Sequence, residues 1–482
     1  MGIGALAGHS TRDTRMSREA TLRALWLEGA ERERQRIREI QTRWAWYHGQ
    51  VRVPAEPGET KDHYARRVKL MINLMKRTVK IKRSMLYGTG IKADIEPAKA
   101  RKALEAVHEL NDIHRFRLRL ATAGMVAGTG IVQPVWAQGE DGPGIKYRLH
   151  GAENVIAIMD PMDPETIKEL RVVSDWFDPD GDKMHVKMEA VTAATWRVFV
   201  DDEHRPDLEV DGGKNPYGFL PFVFFRNTED SELPWGGDEI ADLINMQGEF
   251  NCRASDASNV VKHHGSPALV TKNVRGQIVL GPDRHIELQG SDADVSYLTW
   301  KQDMPGAIAL MDRMVDWMAT VSETPAPELM NLEGLGNLTS GRAIRLLYAM
   351  TIRSTLERQL LYGAAEKELA WASLRVLGTH TGSSFDRPEM TLHWPSDLVP
   401  VDELTRLEGF RAKRELQLET QADQLRQLHP DWTDDRIAEY QTAIAAERTA
   451  MIRGAGESLT PRENAEIERV MAEAERAAGK EL

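Results

Sequence analysis

The feature that most constrains this chain is a small β module placed between two amphipathic helices. The first helix is predicted at residues 238–264 and the second at residues 305–322, each with apolar side chains at helical spacing. Between them lie four short β-like runs, at residues 268–271, 277–280, 285–288 and 295–300. A module of about 35 residues is too small to bury a core of its own. We therefore expect neighbouring chains to complete it.

Helices dominate the segment before this stretch. Arg, Glu and Leu are frequent from residue 18 to 47, and residues 60–87 carry an apolar stripe that predicts one helix beginning at the N-cap Thr60. Residues 99–127 predict another helix. The sequence thus predicts three long helices before residue 130.

From Ile131 the pattern changes to short β-like runs separated by turn residues. The runs are residues 131–136, 145–149, 155–159, 170–177, 184–191 and 195–200. A further buried strand is predicted to end at Phe225, and Asp238 is predicted to cap the helix that follows. This pattern indicates an antiparallel β module inserted after helices.

The longest predicted helix follows a loop rich in Pro and Gly at residues 324–339. It begins at Thr339 or Ser340 and reaches about residue 377, and a short strand at residues 390–394 comes after it. The remaining segment is helical, with a break at Pro430. The fold class is therefore α+β, predominantly α, with several modules in 482 residues.

The charge is distributed unevenly along the chain. Residues 1–120 contain 26 Lys and Arg against 14 Asp and Glu, so the remainder carries a balance of −24. The predicted helix at residues 60–87 is the most basic segment. A nucleic-acid surface is one interpretation, but a solvated face or a contact with an acidic neighbouring subunit is favoured, because stacking aromatic residues and a groove-reading pattern are not evident.

The sequence offers no constellation that supports catalysis, a cofactor or a metal. The pairs Gly88-Thr89-Gly90 and Gly128-Thr129-Gly130 lack the rest of a phosphate-binding motif and are better read as helix ends. His263 and His264 are adjacent, so their side chains diverge on a helix and cannot readily hold one metal ion. Ser340 has no flanking glycine elbow and is a simple helix cap.

A membrane or secreted location is not expected. No apolar run approaches the roughly 20 residues that cross a bilayer, and the first residues lack a signal pattern. The single cysteine, Cys252, suits a reducing cytoplasm and is expected to pack within a helix.

The order of these elements resembles that of the portal proteins of tailed bacteriophages, and in particular the large family typified by a portal of a Bacillus siphophage. Four stretches carry the resemblance: residues 217–225, Gly236-Gly237-Asp238 with the following helix, Thr324-Pro325 with its loop, and Ser340-Gly341-Arg342-Ala343-Ile344. The resemblance covers nearly the whole chain. It rests on the order and residue pattern of the elements more than on any invariant motif.

The resemblance implies an elongated fold of four modules, the wing, stem, clip and crown, together with a tunnel loop. The wing would comprise residues 1–235 together with the long helix and return strand at 340–400. The two stem helices would be residues 236–264 and 304–323, the clip 265–303, the tunnel loop 324–339 and the crown 401–482.

The resemblance also implies partners and an assembly. The subunits would form a homo-oligomeric ring of about twelve copies at one capsid vertex, with major capsid and scaffolding proteins, the terminase large subunit and a head-completion or adaptor protein as partners. Double-stranded DNA would pass through non-specifically. The location would be the virion, with assembly in the host cytoplasm.

The tunnel loop is expected to approach the DNA. Residues 331–339 contain no Lys or Arg, so weak contacts that ignore base sequence are expected there. The residues expected to make them are Asn331, Leu332, Leu335, Asn337 and Leu338. Near the clip, Lys262, Lys272 and Arg275 are expected to contact the DNA backbone transiently. His263 and His264 are expected to face the DNA.

Two rival functions remain open on the residues alone. Another head-tail adaptor or minor capsid protein would share the charge asymmetry and the lack of catalytic residues. A nucleic-acid hydrolase would need clustered acidic metal ligands, and Asp178, Asp180 and Asp182 come closest. These three lie beside Pro179 and Gly181 and are better read as a turn.

Overall fold

A computed structural model gives the fold of the chain. It describes residues 31–139, 142–177, 184–229, 234–265, 268–273, 292–298, 304–330, 341–395, 398, 403–429, 432 and 434–456. The chain divides into two compact units, Met1–Val399 and Pro400–Leu482. Helices account for most of the ordered elements and sheets for the rest, which confirms the predicted mostly helical α+β class.

The first unit contains ten helices in its described residues. They are α1 (Glu31–Tyr47), α2 (Lys61–Arg66), α3 (Leu74–Tyr87), α4 (Ala98–Leu110), α5 (Ile113–Ala127), α6 (Ile244–Gly265), α7 (Met304–Val321), α8 (Ala326–Leu329), α9 (Gly341–Leu347) and α10 (Ala349–Thr381). The second unit, within its described residues, has α11 (Glu403–Glu415), α12 (Gln421–Leu428) and α13 (Asp434–Gly456). In that unit Thr420 and Asp423 form a reciprocal capping box at the start of α12.

The described strands belong to four antiparallel sheets. They are β1 (Lys92–Glu96), β2 (Thr129–Gly139), β3 (Gly142–His150), β4 (Val155–Asp160), β5 (Asp163–Phe177), β6 (Met184–Val191), β7 (Trp196–Val200), β8 (Glu203–His204), β9 (Val223–Arg226), β10 (Ala268–Lys272), β11 (Asp294–Leu298) and β12 (Glu389–His393). Strands β4 to β8 form a meander in sequence order, β3-β2-β9 form a second sheet, and β1 pairs with β12.

Between α6 and α7, strand β10 pairs with β11 in antiparallel register, with Ala268 opposite Leu298. This confirms the first and last of the four β-like runs predicted there. The two middle runs, residues 277–280 and 285–288, lie outside the described residues.

The prediction of one helix over residues 60–87 is wrong. Thr60 does cap a helix, since its side chain accepts a hydrogen bond from the His63 N–H, but that helix ends at Arg66. The chain then runs extended and a new helix begins after Asn73, whose side chain accepts from the Lys76 N–H. We call the extended residues 67–73 the strap.

The single helix predicted over residues 99–127 is also wrong. Asp112 adopts a left-handed conformation (φ 44°) and separates α4 from α5. As predicted, the second glycine pair ends a helix, because Gly128 has φ +87° at the end of α5. A Cβ there would lie 2.1 Å from the Gly236 carbonyl oxygen, so only glycine fits this crossing.

Asp238 caps a shorter element than predicted. Its carboxylate accepts hydrogen bonds from the N–H groups of Ile240 and Ala241, at the start of a 3₁₀ turn that precedes α6. The predicted long helix is interrupted by a turn at Tyr348, between α9 and α10.

The main core of the first unit forms where α3, α5 and α10 pack against β2 and β9. Its fully buried side chains include Met75, Leu86, Met125, Phe225 and Tyr362. A second cluster joins α1 to the five-stranded sheet through Ile40, Val155 and Leu170. Helix α10, 33 residues long, therefore runs along the centre of this unit.

Candidate functional site

The strap is held on α6 by a ladder of polar side chains. Four of them, spaced four residues apart, accept hydrogen bonds from alternate backbone N–H groups of the strap and of the first residue of α3. The acceptors are Gln247, Asn251, Ser255 and Asn259, and the donors are the N–H groups of Leu74, Ile72, Leu70 and Val68 in that order, at 2.8 to 3.1 Å. The amides of Gln247 and Asn259 also donate to the carbonyls of Ile72 and Val68.

This ladder has a simple geometric basis. Four residues of helix rise about 6 Å, and two residues of extended chain advance about 6.6 Å, so the two repeats nearly match. The side chains of α6 thus replace a neighbouring strand and satisfy backbone groups that a buried extended segment would otherwise leave unpaired. This is why residues 67–73 leave the helical conformation.

Glu239 is the centre of a buried ionic cluster that joins four parts of the first unit. Its carboxylate pairs with Lys82 on α3 and Arg358 on α10, and it accepts from the Asn227 amide at 2.7 Å. Burial alone would raise the pKa of Glu239, but the charges of Arg358 and Lys82 outweigh it and hold that pKa at about 2. The segment that leads into α6 is therefore held against α10 by the ion pair between Glu239 and Arg358.

A second buried ion pair lies two turns further along α10. The Arg117 guanidinium donates to both carboxylate oxygens of Glu366, at 2.8 and 2.9 Å, and the Tyr87 hydroxyl donates to the same carboxylate at 3.0 Å. Burial opposes ionisation of Glu366, yet the Arg117 charge lowers the pKa of Glu366 below its usual value. The inner face of α10 is thus fixed by charged as well as apolar contacts.

The outer face of α9 and α10 exposes large apolar side chains among charged ones such as Arg353 and Glu357. Leu346 is 70% exposed and Leu360 76% exposed, and Met350 and Leu356 are each at least half exposed. Helix α7 shows the same property, since its exposed side chains include Ile308, Leu310, Trp317 and Val321. Large apolar side chains grouped on exposed helix faces mark surfaces that another molecule covers.

An open groove of about 420 Å³ continues the outer face of α10. Leu360 lies on its rim, and its walls come from α10 and from residues 219–226. The Arg375 guanidinium stacks on the Phe219 ring, 3.6 Å from the ring centroid. Leu360 is thus shared by the groove and the exposed side of α10.

The structure describes only some of the residues predicted to approach DNA. Lys262 is exposed near the end of α6, where its ammonium donates to the Arg66 carbonyl at 3.1 Å, and Lys272 is exposed at the end of β10. His263 and His264 belong to the last turn of α6. Arg275 and the loop residues Asn331, Leu332, Leu335, Asn337 and Leu338 lie outside the described residues. Of the ten residues predicted to approach DNA, only Lys262 and Lys272 have side chains that the structure describes, so this prediction remains untested.

Sequence reasoning missed the ladder and both ionic clusters. The signal for the ladder was present, because Gln247, Asn251, Ser255 and Asn259 recur at fourfold spacing beside the predicted apolar stripe. That stripe is buried at Ile240, Leu243, Phe250 and Ala254, but its last member, Val261, is 61% exposed. The ion pairs carried no such signal, since their partners are more than 100 residues apart in sequence.

Within the described residues there is no group of three or more His, Cys, Asp or Glu side chains that could hold a metal ion. Asp178, Asp180 and Asp182 lie outside those residues. No described helix combines the length and the apolar character needed to span a bilayer. Cys252 lies partly buried on α6, and burial raises the pKa of its thiol.

The fold and its exposed apolar faces define a structural subunit of mixed helical and β architecture. Comparison with protein families makes this specific: the model of the phage portal proteins described as SPP1 Gp6-like matches residues 28–480. The chain belongs to this family of phage portal proteins. Portal proteins of this family are structural proteins.

Among solved structures, the chain is similar to a chain in the neck of a native GTA particle computed with C12 symmetry (TM-score 0.46, 13% identity, 74% of this chain and 89% of that chain). It is also similar to a chain in the virion of a native gene transfer agent particle (TM-score 0.46, 13% identity, 81% and 98%). A third similar chain is in the neck of an empty GTA particle computed with C6 symmetry (TM-score 0.44, 14% identity, 74% and 89%). No curated protein sequence matches the chain.

Proposed function

We propose that this phage portal protein assembles into a closed ring at one capsid vertex and that DNA is packaged, retained and ejected through the channel of the ring. The observation that carries the proposal is the pair of exposed apolar helix faces, one on α7 and one on α9 and α10. Family membership supports the same assignment.

Two different faces are what a ring requires. When one face of a subunit binds another face of the next, each added copy rotates by a fixed angle, and the assembly closes if the angles complete a circle. Trp317 on α7 and Leu360 on α10 lie on different helices, so they can serve as the two halves of such a contact. A ring of about twelve copies follows from the family resemblance.

The proposed modules are those that the resemblance to portal proteins implies. Residues 1–235 and 340–400 form the wing, α6 and α7 the stem helices within 236–264 and 304–323, residues 265–303 the clip, 324–339 the tunnel loop and 401–482 the crown. The ladder supports a stem attached rigidly to the wing, because side chains of α6 make five hydrogen bonds to the backbone of the strap and one to the first residue of α3.

The channel is expected to let DNA slide. Each phosphate neutralised by a cation adds salt-dependent affinity, which would resist movement. Residues 331–339 contain no Lys or Arg, so the tunnel loop would touch DNA through leucine and asparagine side chains instead. No catalytic residue and no cofactor enter this function.

The ring has several partners in this proposal. Major capsid and scaffolding proteins would surround it in the virion, while the terminase large subunit and later a head-completion protein would dock on the clip. Assembly would take place in the host cytoplasm. A clip completed between subunits would give these partners one continuous ring-shaped surface.

Shortening the loop from Leu332 to Leu338 tests the channel assignment. Ring assembly should be preserved, since the exposed faces on α7 and α10 are intact, whereas DNA packaging or retention should fall in a reconstituted packaging assay. Unchanged packaging by the shortened rings would refute the assignment of the loop to the channel.

A further inference from the structure

Helices α3 and α5 together form a basic surface that the proposed channel does not use. Neither helix contains a single Asp or Glu, over 14 and 15 residues respectively. Their cations are Lys76, Arg77, Lys80, Lys82 and Arg83 on α3, and Arg115, Arg117 and Arg119 on α5. The sequence alone showed only the first of these helices as basic, and the fold places the second against it.

The two helices are antiparallel neighbours. The Arg83 guanidinium donates to the Thr122 hydroxyl at 3.2 Å, and the Arg117 guanidinium lies 6.0 Å from the Tyr87 ring. From Arg83 to Tyr87 the residue number rises along α3, while the number of the contacting residue on α5 falls from Thr122 to Arg117. The exposed cations of both helices therefore follow one line.

Three of the eight cations are already paired. Lys82 contacts Glu239, Arg117 contacts Glu366 and Arg77 contacts Glu328. In the part of the chain that the structure describes, no carboxylate forms an ion pair with the other five. These five, which we call the basic face, are Lys76, Lys80, Arg83, Arg115 and Arg119.

The spacing of the basic face suits a phosphate backbone. Lys76, Lys80 and Arg83 are four and three residues apart, as are Arg115, Arg119 and Thr122, so each set lies on one side of its helix. Cations repeated about once per helical turn, roughly 6 Å apart, form a row of positive charge that can lie along a polyanionic backbone.

The same surface is poorly suited to a protein partner. Stable protein interfaces are built around an apolar centre with aromatic or aliphatic anchors. None of the large apolar side chains that are exposed in the described residues belongs to α3 or α5, whereas α7, α9 and α10 carry several. Lys80, Arg115 and Arg119 are exposed, whereas Lys76 and Arg83 are half-buried beside Tyr47 and Thr122. A face with three exposed cations and no exposed apolar anchor fits a polyanion better than an acidic neighbouring subunit.

We propose that the basic face binds the phosphate backbone of double-stranded DNA without sequence preference. Binding at this face does not depend on the tunnel loop or on the clip. The face would hold DNA electrostatically, in contrast to a cation-free loop past which DNA slides.

The test measures binding of a short labelled DNA duplex to the full chain by fluorescence anisotropy over a range of salt concentrations. The triple variant Lys80→Gln, Arg115→Gln, Arg119→Gln removes three exposed cations of the face. If each contacts one phosphate, the negative slope of log K against log salt becomes shallower by about 2.7. The control Lys146→Gln, Lys168→Gln, Arg197→Gln removes the same charge from exposed positions on β3, β5 and β7, and should leave the slope unchanged.

The variant Lys80→Arg, Arg115→Lys, Arg119→Lys keeps the charge and should retain the wild-type slope. An unchanged slope in the Gln variant of the face would overturn the proposal. An unchanged slope together with loss of ring assembly would assign the face to an acidic surface of a neighbouring copy instead. An equal change of the salt slope in both triple Gln variants would also overturn the proposal, since the effect would then come from net charge alone.

Discussion

The inner and outer faces of α10 differ in an unexpected way, because ion pairs are buried on the inner face and large apolar side chains are exposed on the outer one. The inner face buries Arg358 and Glu366, each only 3% exposed, beside apolar side chains. The outer face exposes Leu356 and Leu360 to solvent. The buried ion pairs help to orient this helix within its own subunit, and the exposed leucines are the residues that we propose to contact another copy. The predictions below test each side of this contrast.

The largest effect is expected from Glu366→Ala, which leaves the Arg117 guanidinium buried without its bidentate partner. Breaking a buried pair on one side costs about 3 to 5 kcal/mol of unfolding free energy. Denaturant unfolding at equal protein concentration measures it. Glu368→Ala, two residues away, removes an exposed pair with Arg387 and should cost no more than about 1 kcal/mol. Equal costs would contradict the assigned role of the inner face.

The next effect concerns pH and Glu239. Because its pKa is about 2 in the folded chain against an ordinary 4.5, its ionisation contributes about 3 kcal/mol of stability above pH 4.5. That contribution is lost as the pH falls from 4.5 towards 2. The difference in unfolding free energy between wild type and Glu239→Gln should therefore shrink over this range, and a difference independent of pH would argue against an ionised Glu239.

The ladder should give a smaller effect. Asn251→Ala leaves the N–H of Ile72 without its acceptor, and an unsatisfied buried donor costs about 1 to 3 kcal/mol. Ser258→Ala lies on the same helix but outside the ladder and should change stability by less than about 0.5 kcal/mol. Hydrogen exchange at Ile72 provides a local readout, and should become faster only in the Asn251 variant.

The smallest effect on subunit stability is expected from the outer face. Leu360 is 76% exposed, so Leu360→Glu removes few contacts within its own subunit. The unfolding free energy of the Leu360→Glu variant, measured on dissociated protein, should stay within about 0.5 kcal/mol of that of wild type. A loss of several kcal/mol would show that Leu360 belongs to the core rather than to a contact surface.

The sequence predicted those elements that depend on local pattern. Alternation and turn residues located β2 to β7, and the small β module between two helices was recognised before the structure was known. The break at residues 67–73 was not predictable from local pattern, because the acceptors that favour the extended conformation lie about 180 residues away on α6. The ionic clusters escaped prediction for the same reason, since Arg117 and Glu366 meet only after folding.

The position of the contact faces followed a similar rule. Leu356 and Leu360 lie four residues apart on the long helix, and helical spacing alone cannot say whether such a pair packs within the subunit or against another one. The buried charges on the opposite face decide this, because they show which side of α10 meets its own core.

The most direct test of the central claim is to count the copies in purified full-length protein by negative-stain electron microscopy and native mass measurement. The account predicts closed rings of about twelve subunits with a central channel for wild type. It predicts the same for Met162→Glu, because Met162 lies at a turn and is itself 92% exposed. It predicts folded, dissociated subunits for Leu360→Glu. Wild-type protein that stays a single copy, or intact rings of the Leu360 variant, would contradict it.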